Sequence, residues 1–121
     1  MDKNVLALAY LGDAVYELAI REYLLEKGIA KVNDLQKEAI PYVSAKGQAM
    51  YLTKLLDSNF LTEEEINVVM RARNHKGSRH PKNTDIVTYK HATGLEALIG
   101  YLYLEHKKDR LNEIIDKIRG D

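Results

Sequence analysis

Two stretches of the chain are apolar at nearly every position. Residues 5–11 carry no polar side chain and run directly into Gly12 and Asp13. Residues 93–104 repeat this pattern, again with glycines, and contain one charged residue, Glu96. A helix whose apolar positions surround its axis is typical of an element buried over most of its circumference. The pattern therefore predicts two buried helices, each of which carries one carboxylate.

The remaining pattern predicts four further helices and no sheet. The first buried helix starts at Asn4 or Asp2 and ends near Lys27, before Gly28. The other starts are marked by capping residues: Asn33 or Asp34, Ser44, Thr62 with Glu65 as a capping box, and Thr84 or Asp85 before the second buried helix. No segment alternates in the manner of a β-strand. The predicted fold class is therefore an all-α, single-domain helical bundle over residues 1–121.

Three further boundaries follow from the sequence. Pro41 should end or kink the short second helix. The second buried helix should extend from about Thr88 to Lys107, after a long connection over residues 74–91 without sustained periodicity. Connections of that length in compact domains are usually functional or disordered. A last amphipathic helix should turn its apolar residues inward and end at Gly120: Leu111, Ile114, Ile115 and Ile118.

Composition places the chain among ordinary globular proteins. Of its 121 residues, 45% are hydrophobic and 30% are charged, which is too apolar for a disordered chain. The absence of cysteine excludes disulfides, zinc–thiolate sites and thiol catalysis. No run approaches 18 apolar residues, and no basic segment followed by a hydrophobic one opens the chain. We therefore expect a cytoplasmic protein that does not bind membranes.

The formal net charge is zero, but the charge is unevenly distributed. Residues 71–90 contain six basic residues and one acidic residue, a net charge of +5, so the rest of the chain carries −5. A concentrated basic segment is the usual electrostatic sign of a polyanionic partner. A solvated basic loop without a partner is the alternative.

The two carboxylates of the predicted buried helices are candidate residues of a functional site. A buried carboxylate costs several kcal/mol, roughly, unless it is paired or bound to a metal. If the two helices pack together, Asp13 and Glu96 meet and repel each other, and Mg²⁺ with its waters would relieve the repulsion. An N-cap or ion-paired role for Asp13 remains open. Glu17 shares a face with Asp13 and either supports the metal or pairs with Arg21.

Motifs in the sequence carry a family resemblance. LGDAV at residues 11–15, with Glu17, resembles the signature stretch of the ribonuclease III family. EALIG at residues 96–100 resembles the second acidic motif of that family. The short length, RARN at residues 71–74 and PKNTD at residues 81–85 resemble its minimal branch, the Mini-ribonuclease III enzymes, which lack a double-stranded RNA-binding domain.

The resemblance implies a homodimeric, Mg²⁺-dependent endonuclease that cleaves double-stranded RNA and matures the large-subunit (23S) ribosomal RNA precursor. Asp13 and Glu96 match the metal-binding and catalytic carboxylates. Ala9 and Thr93 stand where larger relatives have a glutamate and an aspartate, so the four-carboxylate cluster is reduced to two. A non-catalytic helical module that binds RNA or protein is the rival reading.

Other residues are expected to assist this site. Glu17, Thr93 and Asp85 are candidates to support the metal site from outside its ligands. Gln48 and Lys54 could reach a phosphate, although each alone is more typical of a solvated surface. The predicted RNA contacts are basic: Lys46, Arg71, Arg73, Lys76, Arg79 and Lys82.

Overall fold

The computed structural model describes residues 4–76 and 85–120, and it confirms an all-α fold, with no strand in these two segments. Asn4 caps the first helix through its side-chain oxygen, which accepts a hydrogen bond from the Leu6 amide at 2.8 Å. The helices of the described residues are α1 (Val5–Glu26), α2 (Val32–Val43), α3 (Ala45–Asp57), α4 (Glu63–Arg73), α5 (Ile86–Leu104) and α6 (Lys108–Arg119).

Helix α5 forms the centre of the bundle, and α1, α3, α4 and α6 all contact it. Its residues 92–102 are buried, with the exception of half-buried Glu96. This confirms the prediction that the second apolar stretch is a buried helix. Leu95, Leu98 and Ile99 on this helix are fully enclosed. A residue placed on α5 is therefore held by packing from several sides.

Helix α1 is not buried all round, so the corresponding prediction is wrong for the single chain. Tyr10 is 85% exposed and Leu18 is 60% exposed, whereas Leu8, Tyr16 and Ile20 are enclosed on the opposite side. The apolar run covers two faces of α1, and only one of them packs on α5. The second apolar face lies open to solvent.

Most predicted caps are confirmed. The Ser44 hydroxyl accepts from the Gly47 amide at 3.0 Å and starts α3. Thr62 and Glu65 form the predicted capping box at the start of α4, with reciprocal hydrogen bonds of 2.9 and 3.2 Å. Asp85 starts α5 by accepting from the Thr88 amide at 2.9 Å. Together with Asn4 at the start of α1, the bundle thus follows local signals at four of its helix starts.

Three predicted boundaries were wrong. Helix α2 starts after Lys31, which has extended backbone and no side-chain cap, instead of at Asn33 or Asp34. Pro41 does not end α2, which continues to Val43, since one missing amide does not outweigh the contacts of α2 with α1 and α3; a kink at Pro41 stays a prediction. Helix α5 begins at Ile86, directly after its cap, and ends at Leu104. Residues 86–91 are therefore helical instead of part of a connection.

The last helix agrees with its prediction. Gly120 has a φ of 90°, a left-handed conformation that ends α6. The inner face of α6 is as expected: Leu111, Ile114, Ile115 and Ile118 are buried. Within residues 4–76 and 85–120, no helix combines the length and apolar content that crossing a membrane requires.

Candidate active site

The site lies where α1 crosses α5, and glycine makes this crossing close. A Cβ atom on Gly12 would overlap the carbonyl oxygen of Glu96 and lie 2.8 Å from the Gly100 nitrogen. A Cβ on Gly100 would in turn overlap the carbonyl oxygen of Leu8. The two helix backbones therefore touch, which places Asp13, the residue after Gly12, beside the Glu96 side chain.

Asp13 is exposed, which corrects the prediction of a buried carboxylate. Gly12 occupies the face of α1 that meets α5, so the next side chain projects from the edge of the crossing. Asp13 lies in the middle of α1 and is therefore not a helix cap. Among residues 4–76 and 85–120, no Lys, Arg or His forms an ion pair with it, so the ion-paired alternative finds no partner in this part of the chain.

Glu96 is the perturbed carboxyl group of this pair. Burial, the charge of Asp13 and a hydrogen bond with the Asp13 carboxyl together raise the pKa of Glu96 to about 8, with a smaller contribution from the charge of Glu17. In the described part of the chain, no basic side chain pairs with Glu96 either. The predicted meeting of the two carboxylates is thus observed, and no basic side chain of the described residues relieves their repulsion.

A third helix, α3, also contributes a side chain at the Glu96 carboxyl. The Gln48 side chain, in the first turn of α3, hydrogen-bonds the Glu96 carboxyl and favours its ionised form. Gln48 is 2% exposed, so its description as a solvated surface residue was wrong. A weak signal for this burial is present in the sequence, because Gly47 and Ala49 flank Gln48 and such small residues let another helix approach closely.

The three candidate supporting residues lie in different surroundings. Glu17 forms an exposed ion pair with Arg21 at 3.4 Å, the second of the two roles considered for it. Thr93 is buried one turn before Glu96, and its hydroxyl donates to the Tyr89 carbonyl at 2.9 Å. Asp85 is the cap of α5, eleven residues before Glu96, or about 16 Å along a helix axis. Support of a metal by any of them stays a prediction.

The basic candidates lie on two helices that pack beside the site. Lys46 is exposed in the first turn of α3, two residues before Gln48. Val69 of α4 packs against α5 at Gly94, which brings the last turn of α4 alongside the helix of Glu96. That turn carries exposed Arg71 and half-buried Arg73, and exposed Lys76 follows it. The other two predicted RNA contacts, Arg79 and Lys82, lie outside the described residues.

The donor set fits one hydrated Mg²⁺ ion. Asp13 and Glu96 offer hard carboxylate oxygens, and their uncompensated repulsion is the observation that favours a cation between them. Mg²⁺ commonly binds through one or two carboxylates and keeps several waters. In the described segments no group of three or more His, Cys, Asp or Glu side chains gathers, so an all-protein cage is not available there.

Comparisons with known proteins agree with this geometry. The model of the Ribonuclease III domain matches residues 6–107. Mini-ribonuclease 3 of Brevibacillus brevis is 52% identical over 94% of this chain and 84% of its own length. Mini-ribonuclease 3 of Enterococcus faecalis is 50% identical over 93% of this chain and 86% of its own.

A solved structure gives the same result for the fold. A crystal structure of a protein from Fusobacterium nucleatum superposes with a TM-score of 0.86 at 38% identity, over 98% of this chain and 93% of the other. Sequence and structure comparisons therefore agree over nearly the whole chain. The chain belongs to the ribonuclease III family, in its Mini-ribonuclease 3 branch, and is an endoribonuclease.

Proposed function

We propose that this endoribonuclease cleaves double-stranded RNA with Mg²⁺ and acts on the 23S ribosomal RNA precursor in the cytoplasm. The observation that carries the metal dependence is the contact between the carboxyls of Asp13 and Glu96 at the glycine crossing. Neither carboxyl helps folding where it stands, because the two repel each other without a basic partner in the described segments.

The two carboxylates and the surrounding helices have separate tasks. Bound Mg²⁺ would supply an activated water and neutralise charge that develops on the phosphate. Exposed Asp13 lets the scissile phosphate approach from solvent, while half-buried Glu96 is fixed by the packing of α5. The backbone contact at Gly12 keeps the two side chains in register without a movement at the moment of reaction.

The basic residues beside the site suit an RNA duplex. Double-stranded RNA is recognised mainly through its phosphates and 2′-hydroxyls across the shallow groove. Cations at the end of α4 and at the start of α3 lie on helices that pack on α5, and they would contact phosphates on both sides of the cut. The proposed contacts are Lys46, Arg71, Arg73, Lys76, Arg79 and Lys82.

The open apolar face of α1 supports the homodimer as part of this proposal. Tyr10, Ala14 and Leu18 are spaced by four residues and share that face, and all three are exposed. Leu18 also lines a groove of about 690 Å³ together with Tyr103 of α5, which is 51% exposed. An exposed apolar face of this kind is typical of a protein interface, and a second copy would cover it.

A cleavage assay tests the function directly. The protein is incubated with a long RNA duplex and with the matching single strand, in Mg²⁺ and in EDTA. We expect cuts in the duplex with Mg²⁺ alone and little cutting of the single strand. Duplex binding without cleavage in Mg²⁺ would instead favour the non-catalytic module.

The dimer is tested separately by light scattering at micromolar concentration. The wild type should have the mass of two chains, and Tyr10→Asp should shift the protein toward one chain because it places a charge on the apolar face. Lys31→Asp, on the exposed cap of α2, is the matched control and should leave the mass unchanged. A wild type with the mass of one chain, with and without RNA, would contradict the dimer.

A further inference from the structure

Gln48 is a buried polar side chain whose position the fold alone does not explain. The described residues include three buried polar or charged side chains, namely Gln48, Glu65 and Thr93. Glu65 is paired with Arg110 at 2.8 Å, and the Thr93 hydroxyl bonds its own helix. Burying an amide costs about 1–3 kcal/mol unless it is hydrogen-bonded. The partner of Gln48 is Glu96, a residue of the proposed site.

The turn between α2 and α3 holds the backbone at Gln48 in place. Ser44 caps α3, and its carbonyl oxygen accepts a hydrogen bond from the backbone N–H of Gln48 at 2.9 Å. A Cβ on Gly47 would overlap the carbonyl oxygen of Pro41, so the first turn of α3 touches the last turn of α2 through backbone. The backbone position of Gln48 is thus set by main-chain contacts between α2 and α3.

The Glu96 carboxyl has negative neighbours on α1 and a neutral donor on α3. The charges of Asp13 and Glu17 act on it from α1. Gln48, which is buried, hydrogen-bonds it from α3. An amide presents two hydrogens to a carboxylate and carries no charge, so it holds the carboxylate without competing with a bound cation.

We infer that Gln48 is a positioning residue, whose side-chain amide holds the Glu96 carboxylate in the orientation that lets Glu96 and Asp13 face one ion. This role rests on the proposed function, and Gln48 itself contacts neither ion nor RNA in it. Groups that orient metal ligands in this way typically contribute 10- to 100-fold to metal affinity or activity.

The first test replaces the amide by an apolar group of similar length, Gln48→Met. We expect kcat in saturating Mg²⁺ to fall by about 10- to 100-fold and the half-saturating Mg²⁺ concentration to rise by a similar factor. The KM for duplex RNA should stay within about 3-fold of the wild type, because the phosphate contacts are unchanged.

Leu52→Val is the matched control, since Leu52 is fully buried on the same helix and packs at Gly94 rather than on the Glu96 carboxyl. It should lower the urea midpoint of unfolding and leave kcat and the Mg²⁺ dependence unchanged. A Gln48→Met protein with the same profile as Leu52→Val would overturn the inference, because its effect would then be that of lost packing.

A second measurement uses the wild type and so does not depend on how a variant folds. The chain has two glutamines, buried Gln48 and exposed Gln36, whose side-chain amides can be followed by ¹⁵N NMR. In a Mg²⁺ titration without RNA, the Gln48 amide should shift and the Gln36 amide should not. The Gln48 response should disappear in Glu96→Gln.

A Gln48 amide that stays unmoved while Mg²⁺ binds would also overturn the inference. The proposed function fails in a different way, through a wild type that binds no Mg²⁺ and does not cleave duplex RNA. A wild type that cleaves normally, with Gln48 variants that match the control, would leave the function intact and remove only the role of Gln48.

Discussion

Two glutamates of this protein, Glu65 and Glu96, are held in opposite ways. Burial alone would raise the pKa of Glu65, but hydrogen bonds from Arg110 and Thr62 outweigh it and hold this pKa below its usual range. Arg110 binds Glu65 through two nitrogens, each at 2.8 Å. Glu96 has Asp13 as its neighbour instead, and its pKa is raised to about 8.

The difference separates a structural carboxylate from a functional one. Glu65 caps α4 and ties it to α6, so the folded state gains from its charge. Ionisation of Glu96 costs the folded state free energy, because burial and Asp13 both oppose its charge. A carboxylate whose charge the fold does not stabilise is a candidate to bind a ligand of the folded protein.

The largest expected contrast is in catalysis. Asp13→Asn or Glu96→Gln should lower the cleavage rate by about 10³-fold, since each removes a carboxylate that holds the ion, while duplex RNA affinity stays within a few-fold. Glu65→Gln, assayed on folded protein, should keep near-normal turnover. Rates at saturating Mg²⁺ and binding in EDTA are the measurements, and near-normal turnover by either site variant would contradict the assignment.

The next contrast is in folding. Arg110→Met should lower the free energy of unfolding by about 2–4 kcal/mol, because it leaves the Glu65 carboxylate buried without its partner. Urea unfolding at neutral pH measures this, with Lys108→Met on the same helix as the exposed control. A loss no larger than that of the control would mean that water replaces the arginine.

A smaller effect of opposite sign is expected at Glu96. Glu96→Gln should raise the stability of the metal-free protein by about 0.5–2 kcal/mol at neutral pH. This is the usual gain when a residue that serves function at the expense of stability is replaced. Saturating Mg²⁺ should stabilise the wild type and do little for the variant. Melting curves in EDTA and in Mg²⁺ measure both effects. A variant that melts below the wild type in EDTA would make Glu96 a structural hydrogen-bond partner.

The pH dependence of stability should show the same cost of ionising Glu96. The folded-state pKa of Glu96 lies above its ordinary value of 4.5, so the folded chain binds more protons than the unfolded chain between pH 4.5 and about 8. Stability of the metal-free wild type should therefore fall as the pH rises through this window, and Glu96→Gln should flatten that fall. The lowered pKa of Glu65 acts oppositely, because its contribution is lost as the pH falls below 4.5.

The smallest effect should come from Glu17→Gln. Its exposed ion pair with Arg21 contributes below about 1 kcal/mol, and its charge is the last of the influences on Glu96. Stability and cleavage should both stay close to the wild type in the assays above. A loss of cleavage comparable to that of Asp13→Asn would place Glu17 among the metal ligands.

The sequence was sufficient where the signal is local. Caps at Asn4, Ser44 and Thr62 follow from side chains that bond an amide two or three residues away, so no knowledge of packing is needed. The meeting of Asp13 and Glu96 followed from two apolar helices that carry glycines and had to pack on each other.

The sequence was insufficient where the burial of a residue depends on the rotation of its helix about the axis, or on contacts between residues that are distant in the chain. The exposure of Asp13 depends on which face of α1 meets α5, and an apolar run that covers two faces does not specify it. The depth of Gln48 depends on the backbone contact between α2 and α3, which joins residues that local pattern treats separately. The extension of α2 through Pro41 likewise depends on its neighbours rather than on the proline itself.

The glycine crossing has a consequence for which substitutions the protein tolerates. At Gly28 and Gly120 a side chain would meet open space, and only the positive φ of about 90° opposes it, at roughly 1–2 kcal/mol. At Gly12 and Gly100 even a methyl group would collide with the backbone of the other helix. A saturation library should thus accept many residues at the first two positions and glycine alone at the other two. Such a library would identify the active site in two ways. Substitutions of Asp13 and Glu96 would remove activity, and substitutions of Gly12 and Gly100 would prevent folding.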